Sequence, residues 1–435
     1  MLAPFVPSVS PKNQADARTI AWSRLGCTGS IPITLYHSVF RRFMDDCKLC
    51  PAHPTDNAFA LDLSVGMSRT FADGEARATE SRDIFQRNGI YLSKSTINSK
   101  GAECITDVDI QVNGNRIVIL TVRNELCGSD SEPYGESILS YMHSTWPATE
   151  RSTMFNFPCL IITLFGAHIS FSGAVWTDRP QCQILSTLPL FYHQTDQDMH
   201  IALARRLGAL RKAINSLTQC YLSASPSALP LNYPKDYSDP CFPDQHQYQS
   251  LDSDMPSVVR YHYLRWHHSN KLVFVATIVD TGEEICVKFV HQYSRTVHKK
   301  CASMGIAPRL RGFENIGGGW KMVVMACLLL NGTSPFSAEL DDKSLVFIKI
   351  FGKRANLVHE DVREKNVLVR ANGDASYVLI DFDWAGIVGE ARYPINVPKG
   401  KDLWRPDDAV DGELIMPEHD IVMLDHLCSM HPHGW

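Results

Sequence analysis

The stretch Leu357–Gly386, LVHEDVREKNVLVRANGDASYVLIDFDWAG, sets a few polar residues into apolar sequence at regular spacings. His359 and Asp361 open it, and Asn366 follows five positions after Asp361. Val367, Leu368 and Val369 then lead into Asn372-Gly373-Asp374, and a second apolar run, Tyr377 to Ile380, is closed by Asp381. Two short apolar runs around an Asn-Gly turn predict a β-hairpin. A hairpin returns the end of its second strand to the start of its first, so Asn366 and Asp381 are expected to meet. An amide oxygen and a carboxylate brought together beside Asp361 suit Mg²⁺ held on nucleotide phosphates.

H-x-D-x-x-x-x-N followed by D-F-x resembles the catalytic core of the protein-kinase-like fold, in an atypical, fungal kinase-like form. The resemblance implies ATP and Mg²⁺ as cofactors, with Asn366 and Asp381 on the metal and Asp361 accepting the proton of an incoming hydroxyl. It also places Arg363 where many kinases carry Lys or Arg near the catalytic Asp. The sequence departs from the pattern at Glu360, where Arg or Gly is usual, and at Asp383, which replaces the Gly of D-F-G. Glycine there would permit a backbone flip.

Working outward, Lys271–Val279 and Glu284–Val290 read as two strands around Asp280-Thr281-Gly282. Lys288 lies inside the second, where a buried ammonium needs a partner. The kinase resemblance makes it the residue that contacts the α- and β-phosphates. No G-x-G-x-x-G occurs over Tyr261–Val275, and the helix expected over Gln292–Met304 holds no acid. The partner of Lys288 is therefore expected to be the nucleotide or Asp381. Trp320–Leu330 reads as a strand leading to a hinge, with Met325 and Cys327 implied to line the adenine. Ser344–Asn356 reads as the helix before the catalytic loop. Asp420, 39 positions after Asp381, is expected to open a helix and bond the backbone of that loop. Only 15 residues follow it, which truncates the second lobe. The resemblance covers about 175 residues, and a protein hydroxyl is the acceptor that it implies.

The remainder bounds the setting. The chain has 435 residues, 44% hydrophobic and 20% charged, with a net charge of −5 and 13 singly scattered cysteines. That composition suits a soluble, intracellular protein of the cytoplasm or nucleus. No apolar run reaches the ~20 residues needed to span a bilayer, so no membrane partner is expected. The net charge does not favour nucleic acid as a partner. Residues 1–55 are rich in Pro and Ser and read as irregular. Cys47-Lys-Leu-Cys50 near His53 could serve zinc only with a second ligand pair, which is missing, so a helix end with two thiols is the alternative.

Residues 56–225 read as an α/β domain. They hold a helix over Glu75–Gln86, a hairpin of Glu103–Val112 and Arg116–Val122 around Asn113-Gly114, a helix over Glu132–Trp146 and strands over Cys159–Val175. An amphipathic helix over Met199–Leu222 ends the domain. The order resembles the restriction-endonuclease-like core joined to kinase-like domains in fungal relatives of Crinkler-type effectors. Asp107 would be that core's Asp. Its Glu-x-Lys falls on Thr121-Val122-Arg123, which supplies no carboxylate and a base that cannot give up a proton. A nuclease-like fold without cleavage is therefore expected. Proline-rich residues 226–256 read as a linker. The fold class expected is α+β: a two-lobed protein-kinase-like domain with a truncated second lobe, residues 257–435, preceded by an α/β restriction-endonuclease-like domain.

Overall fold

The computed structural model describes residues 21–22, 31–99, 102–124, 133–149, 155–223, 241–251, 257–267, 271–328, 356–369, 377–397 and 404–429. It is a mixed α/β structure, and the chain divides into two compact units, Met1–Gln245 and His246–Trp435.

The first unit carries β1 (Ala21–Trp22), α1 (Ile33–Tyr36), α2 (Ser38–Leu49), α3 (Pro54–Met67) and α4 (Gly74–Arg87). Next come β2 (Ser93–Ser99), β3 (Ala102–Val112), β4 (Asn115–Arg123), α5 (Pro133–Thr149), β5 (Cys159–Phe165), β6 (His168–Trp176), β7 (Pro180–Pro189) and α6 (Gln197–Ser223). The strands form one sheet in the order β1-β7-β6-β5-β4-β3-β2. Asn113 and Gly114 both have positive φ, 51° and 76°, which is what a two-residue β3–β4 turn demands and why Asn-Gly stands there. β4 and β5 pair in parallel, Val118 opposite Leu160, with α5 packed on them. Every residue of β5 is buried, as a strand covered on both faces requires. On α6, Leu203, Leu207, Leu210 and Leu217 form the buried stripe.

One expectation for this unit is corrected, and a strand is added to those expected. Residues 31–49 are not irregular: Val39, Phe40, Phe43 and Cys47 recur at helical spacing and are buried on α2. The surrounding Pro and Ser content hides that period. Cys47 and Cys50 stand at the end of α2, with Cys50 bonding Asp46 (2.8 Å) and accepting from Lys212 (2.6 Å). Among the described residues no three metal-ligating His, Cys, Asp or Glu side chains gather. Strand β7, bounded by Pro180 and Pro189, is not among the expected elements.

The second unit opens with β8 (Gln247–Gln249), β9 (Val258–Trp266), β10 (Val273–Ile278) and β11 (Glu284–Val290), followed by α7 (Arg295–Ser303), β12 (Leu310–Gly317) and β13 (Trp320–Ala326). These strands make an antiparallel sheet in the order β12-β13-β11-β10-β9-β8. β8 lies inside the stretch expected to be a linker and pairs with β9 through Tyr248, which is buried. Beyond it stand β14 (Leu357–Val358), a 3-10 turn at Glu364–Asn366, β15 (Val367–Val369), β16 (Tyr377–Leu379), β17 (Gly386–Ile387) and α8 (Pro417–Ser429). Of the helix expected over Ser344–Asn356 only Asn356 is described, in a bend with φ 56°, and the turn at Asn372–Asp374 lies outside the described residues.

One apolar cluster fastens these pieces. Val297 and Cys301 of α7, Val323 of β13, Val367 and Leu379 of the β15–β16 hairpin, Phe382, and Leu424 of α8 share it. Each such side chain contributes roughly 1.5–3 kcal/mol by leaving water, enough to hold the polar residues threaded between them. Among the described residues no helix is long and apolar enough to cross a membrane.

Candidate functional site

The hairpin register sets Val367 opposite Leu379, and the Ile380 N–H donates to the carbonyl of Asn366 (3.0 Å). Asn366 therefore sits beside the residue that precedes Asp381. Its side chain is fully buried. The amide Nδ2 donates to the carbonyl (2.9 Å) and carboxylate (2.5 Å) of Asp361, while Oδ1 has no hydrogen-bond partner. A buried acceptor without a donor is costly, and it is what an incoming cation would satisfy.

Asp361 is itself enclosed. Its Oδ1 accepts from Arg405 (2.5 Å), and its Oδ2 lies 2.9 Å from Arg363. Arg405 also donates to the carbonyl of Glu360 (2.9 Å) and lies over the Trp384 ring at 4.8 Å. Asp420, in the first turn of α8, accepts the backbone N–H groups of His359 (2.7 Å) and Glu360 (2.6 Å). The loop–helix bond expected from the sequence is thus present. Burial pushes the Asp420 carboxyl up, against the opposing pull of His359 and these two N–H groups. Glu360 is buried beside them with positive φ, 73°, and neither carboxylate oxygen has a partner. Burial and the charges of Asp420 and Asp361 raise its pKa to about 9, with Arg405 opposing.

Lys288 reaches this region from the middle of β11. Its ammonium donates to Asp381 Oδ1 (2.5 Å) and Asp383 Oδ1 (2.6 Å), and Tyr293 presents its ring at 5.6 Å. Burial works against the charge, but the two carboxylates hold the Lys288 pKa above its ordinary value. Burial likewise opposes the Asp381 charge, and Lys288 and Lys271 outweigh it, so that carboxyl is held well below the usual range. Asp383 is pushed up by burial and by Asp381. The sequence points to Asp381 as a partner but not to Asp383, which reads there only as a lost glycine.

Helix α7 is shorter than expected, Arg295–Ser303, and lies against the Asp381-Phe382-Asp383 segment. The Ser294 N–H donates to the Phe382 carbonyl (3.0 Å), and the His298 ring stacks on Phe382 at 4.6 Å. His298 is buried, which lowers its pKa to about 4. The neutral ring accepts from Tyr293 Oη (2.7 Å) and donates to the Pro308 carbonyl (2.8 Å). Met325 closes β13 with Ala326, and Cys327 follows; both Met325 and Cys327 are half-buried, with the Cys327 sulfur 3.7 Å from that of Cys286. Sequence reasoning misses Arg405 and Lys271. Arg405 follows Trp404 in a segment without periodicity, so nothing in the sequence marks it.

No family model and no curated protein matches the chain. Among solved structures, the kinase PK-1 of the Cydia pomonella granulovirus aligns at 17% identity with a TM-score of 0.28. The match covers 38% of this chain and 65% of that one, and so falls short of two thirds of its length. A likeness this low decides nothing about the site.

Proposed function

We propose that His246–Trp435 is a kinase-like phosphotransferase unit. It would use ATP and Mg²⁺ to phosphorylate a hydroxyl, with a protein Ser, Thr or Tyr as acceptor. The observation that carries this reading is the meeting of buried Lys288 with Asp381 at the end of the hairpin whose other end holds Asn366 on Asp361. The orphaned Asn366 Oδ1 and the Asp381 carboxylate fit magnesium, which takes one or two protein oxygens together with phosphate oxygens. Magnesium would neutralise charge on the transferring phosphate. Lys288 would contact the α- and β-phosphates, with Met325 and Cys327 on the adenine side. Asp361 would receive the hydroxyl proton, with Arg363 beside it. Asp383 would take the place of the missing helix acid in orienting Lys288.

One observation favours a second reading, a binding module without turnover. Both oxygens of Asp361 are engaged, by Arg405, Arg363 and Asn366, which lowers their readiness to take a proton. A thermal-shift titration with Mg·ATP, followed by phosphate transfer to a generic protein acceptor, separates the two. Binding to the native state must raise apparent stability. Lys288→Met should abolish the shift, because Met fills a similar volume without the charge. Asp361→Asn should keep the shift and lose transfer. A shift without transfer in the wild type selects the binding module, and no shift at all overturns the phosphotransferase reading.

For the first unit we propose a nuclease-like fold without cleavage. Thr121 stands where a carboxylate would be needed and bonds Ser137 (2.8 Å), while Arg123 is paired with Glu136. Mg²⁺-dependent nicking of DNA by the full chain, lost in Asp107→Ala, would overturn this.

A further inference from the structure

We propose that Lys271 is a second phosphate-contacting residue of this site, standing in for the glycine-rich loop that the chain lacks. The inference rests on the nucleotide reading above and adds a residue and a binding mode to it. Lys271 lies at the end of the β9–β10 connection, two residues before β10, and its ammonium is 2.5 Å from Asp381 Oδ2. Lys288 holds the other oxygen of the same carboxylate, also at 2.5 Å. Two ammonium groups, one from β11 and one from the β9–β10 connection, therefore share one Asp.

The base of Lys271 is fixed, while its side chain is partly exposed. The Trp266 indole N–H (2.7 Å) and the Val273 N–H (2.9 Å) both donate to the Lys271 carbonyl. Trp266 in turn stacks on Phe274 at 5.6 Å. The side chain itself is 43% exposed, against 7% for Lys288. Lys288 keeps Asp383 if Asp381 turns to a metal, but Asp381 is the acid that Lys271 contacts. With Asp381 engaged by a metal, Lys271 would be left with its charge unmatched beside the site proposed for the phosphates. An ammonium there binds phosphate as a point charge, in place of the backbone N–H groups of a glycine-rich loop.

The test compares Mg·ATP, inorganic tripolyphosphate and adenosine by titration calorimetry on the full chain, as wild type, Lys271→Ala and Lys271→Arg. Losing one charge-assisted contact, Lys271→Ala should bind Mg·ATP and tripolyphosphate about tenfold more weakly. Adenosine affinity should stay as in the wild type, and Lys271→Arg should restore most of the loss. Unchanged polyphosphate affinity in Lys271→Ala, with the wild type binding normally, overturns this inference alone. Equal weakening for all three ligands also overturns it, because a damaged fold would do that. A wild type that binds none of the three overturns the nucleotide reading together with it.

Discussion

Asp109 in the first unit and Glu360 in the second are both 0% exposed, yet they are buried in opposite ways. Asp109, on β3, accepts from Arg116 Nε (2.7 Å), from Gln111 (3.0 Å) and from Ser95. Glu360 has no donor on either oxygen. The first is a saturated ion pair that locks β2, β3 and β4 together. The second sits in a loop whose backbone is held by Asp420 and Arg405, and Asn366, which bonds the adjoining Asp361, also has an unsatisfied oxygen. Unsatisfied buried polar atoms occur in both units, Thr163 and Ser172 among them in the first, but Asp109 is spared them and Glu360 is not.

The largest expected effect lies on the saturated side. Asp109→Ala strands the Arg116 guanidinium and should cost about 3–5 kcal/mol in chemical denaturation of the first unit. A loss below about 1 kcal/mol would erase the contrast.

The next concerns Glu360 and pH. Folded, it keeps its proton to about pH 9, whereas its ordinary value is 4.5. Between those values the folded state binds more protons than the unfolded one, so stability falls as pH rises, by up to about 1.4 kcal/mol per pH unit. Below that window the contribution of this group is constant. Glu360→Gln should flatten the decline in melting temperature between pH 5 and 8, and equal slopes in both proteins would refute the assignment.

The smallest effect is back in the first unit. Thr121→Val removes one hydrogen bond, but Ser137 Oγ retains the Pro133 carbonyl as acceptor. The cost should be about 1 kcal/mol, measured by urea midpoint.

How much of the molecule is legible in its sequence depends on the range of the interactions involved. Local patterns are legible: the hairpin between Asn366 and Asp381, the Asn113-Gly114 turn and the stripe on α6. Asp420 is legible because its distance from Asp381 is a motif in itself. Contacts between residues far apart in sequence are legible only where a motif marks both ends, as for Lys288 and Asp381. Arg405 meets Asp361 across 44 positions, and Lys271 meets Asp381 across 110. Neither pairing leaves a period or a turn signal to read. Residues 31–49 read as irregular only when composition is weighed above the spacing of Val39, Phe40 and Phe43.

Phe382 has a mechanical consequence. It is 1% exposed, clasped by the Ser294 N–H, stacked on His298 and met edge-on by His359 at 4.9 Å. Swinging it out would forfeit roughly 1.5–3 kcal/mol of burial and tear Lys288 from both of its acids. With Asp383 where a glycine could pivot, the segment is a strut and not a hinge. The amide hydrogens of Ser294 and Ile380, which donate to the Phe382 and Asn366 carbonyls, should therefore exchange with solvent deuterium only when the whole second unit unfolds.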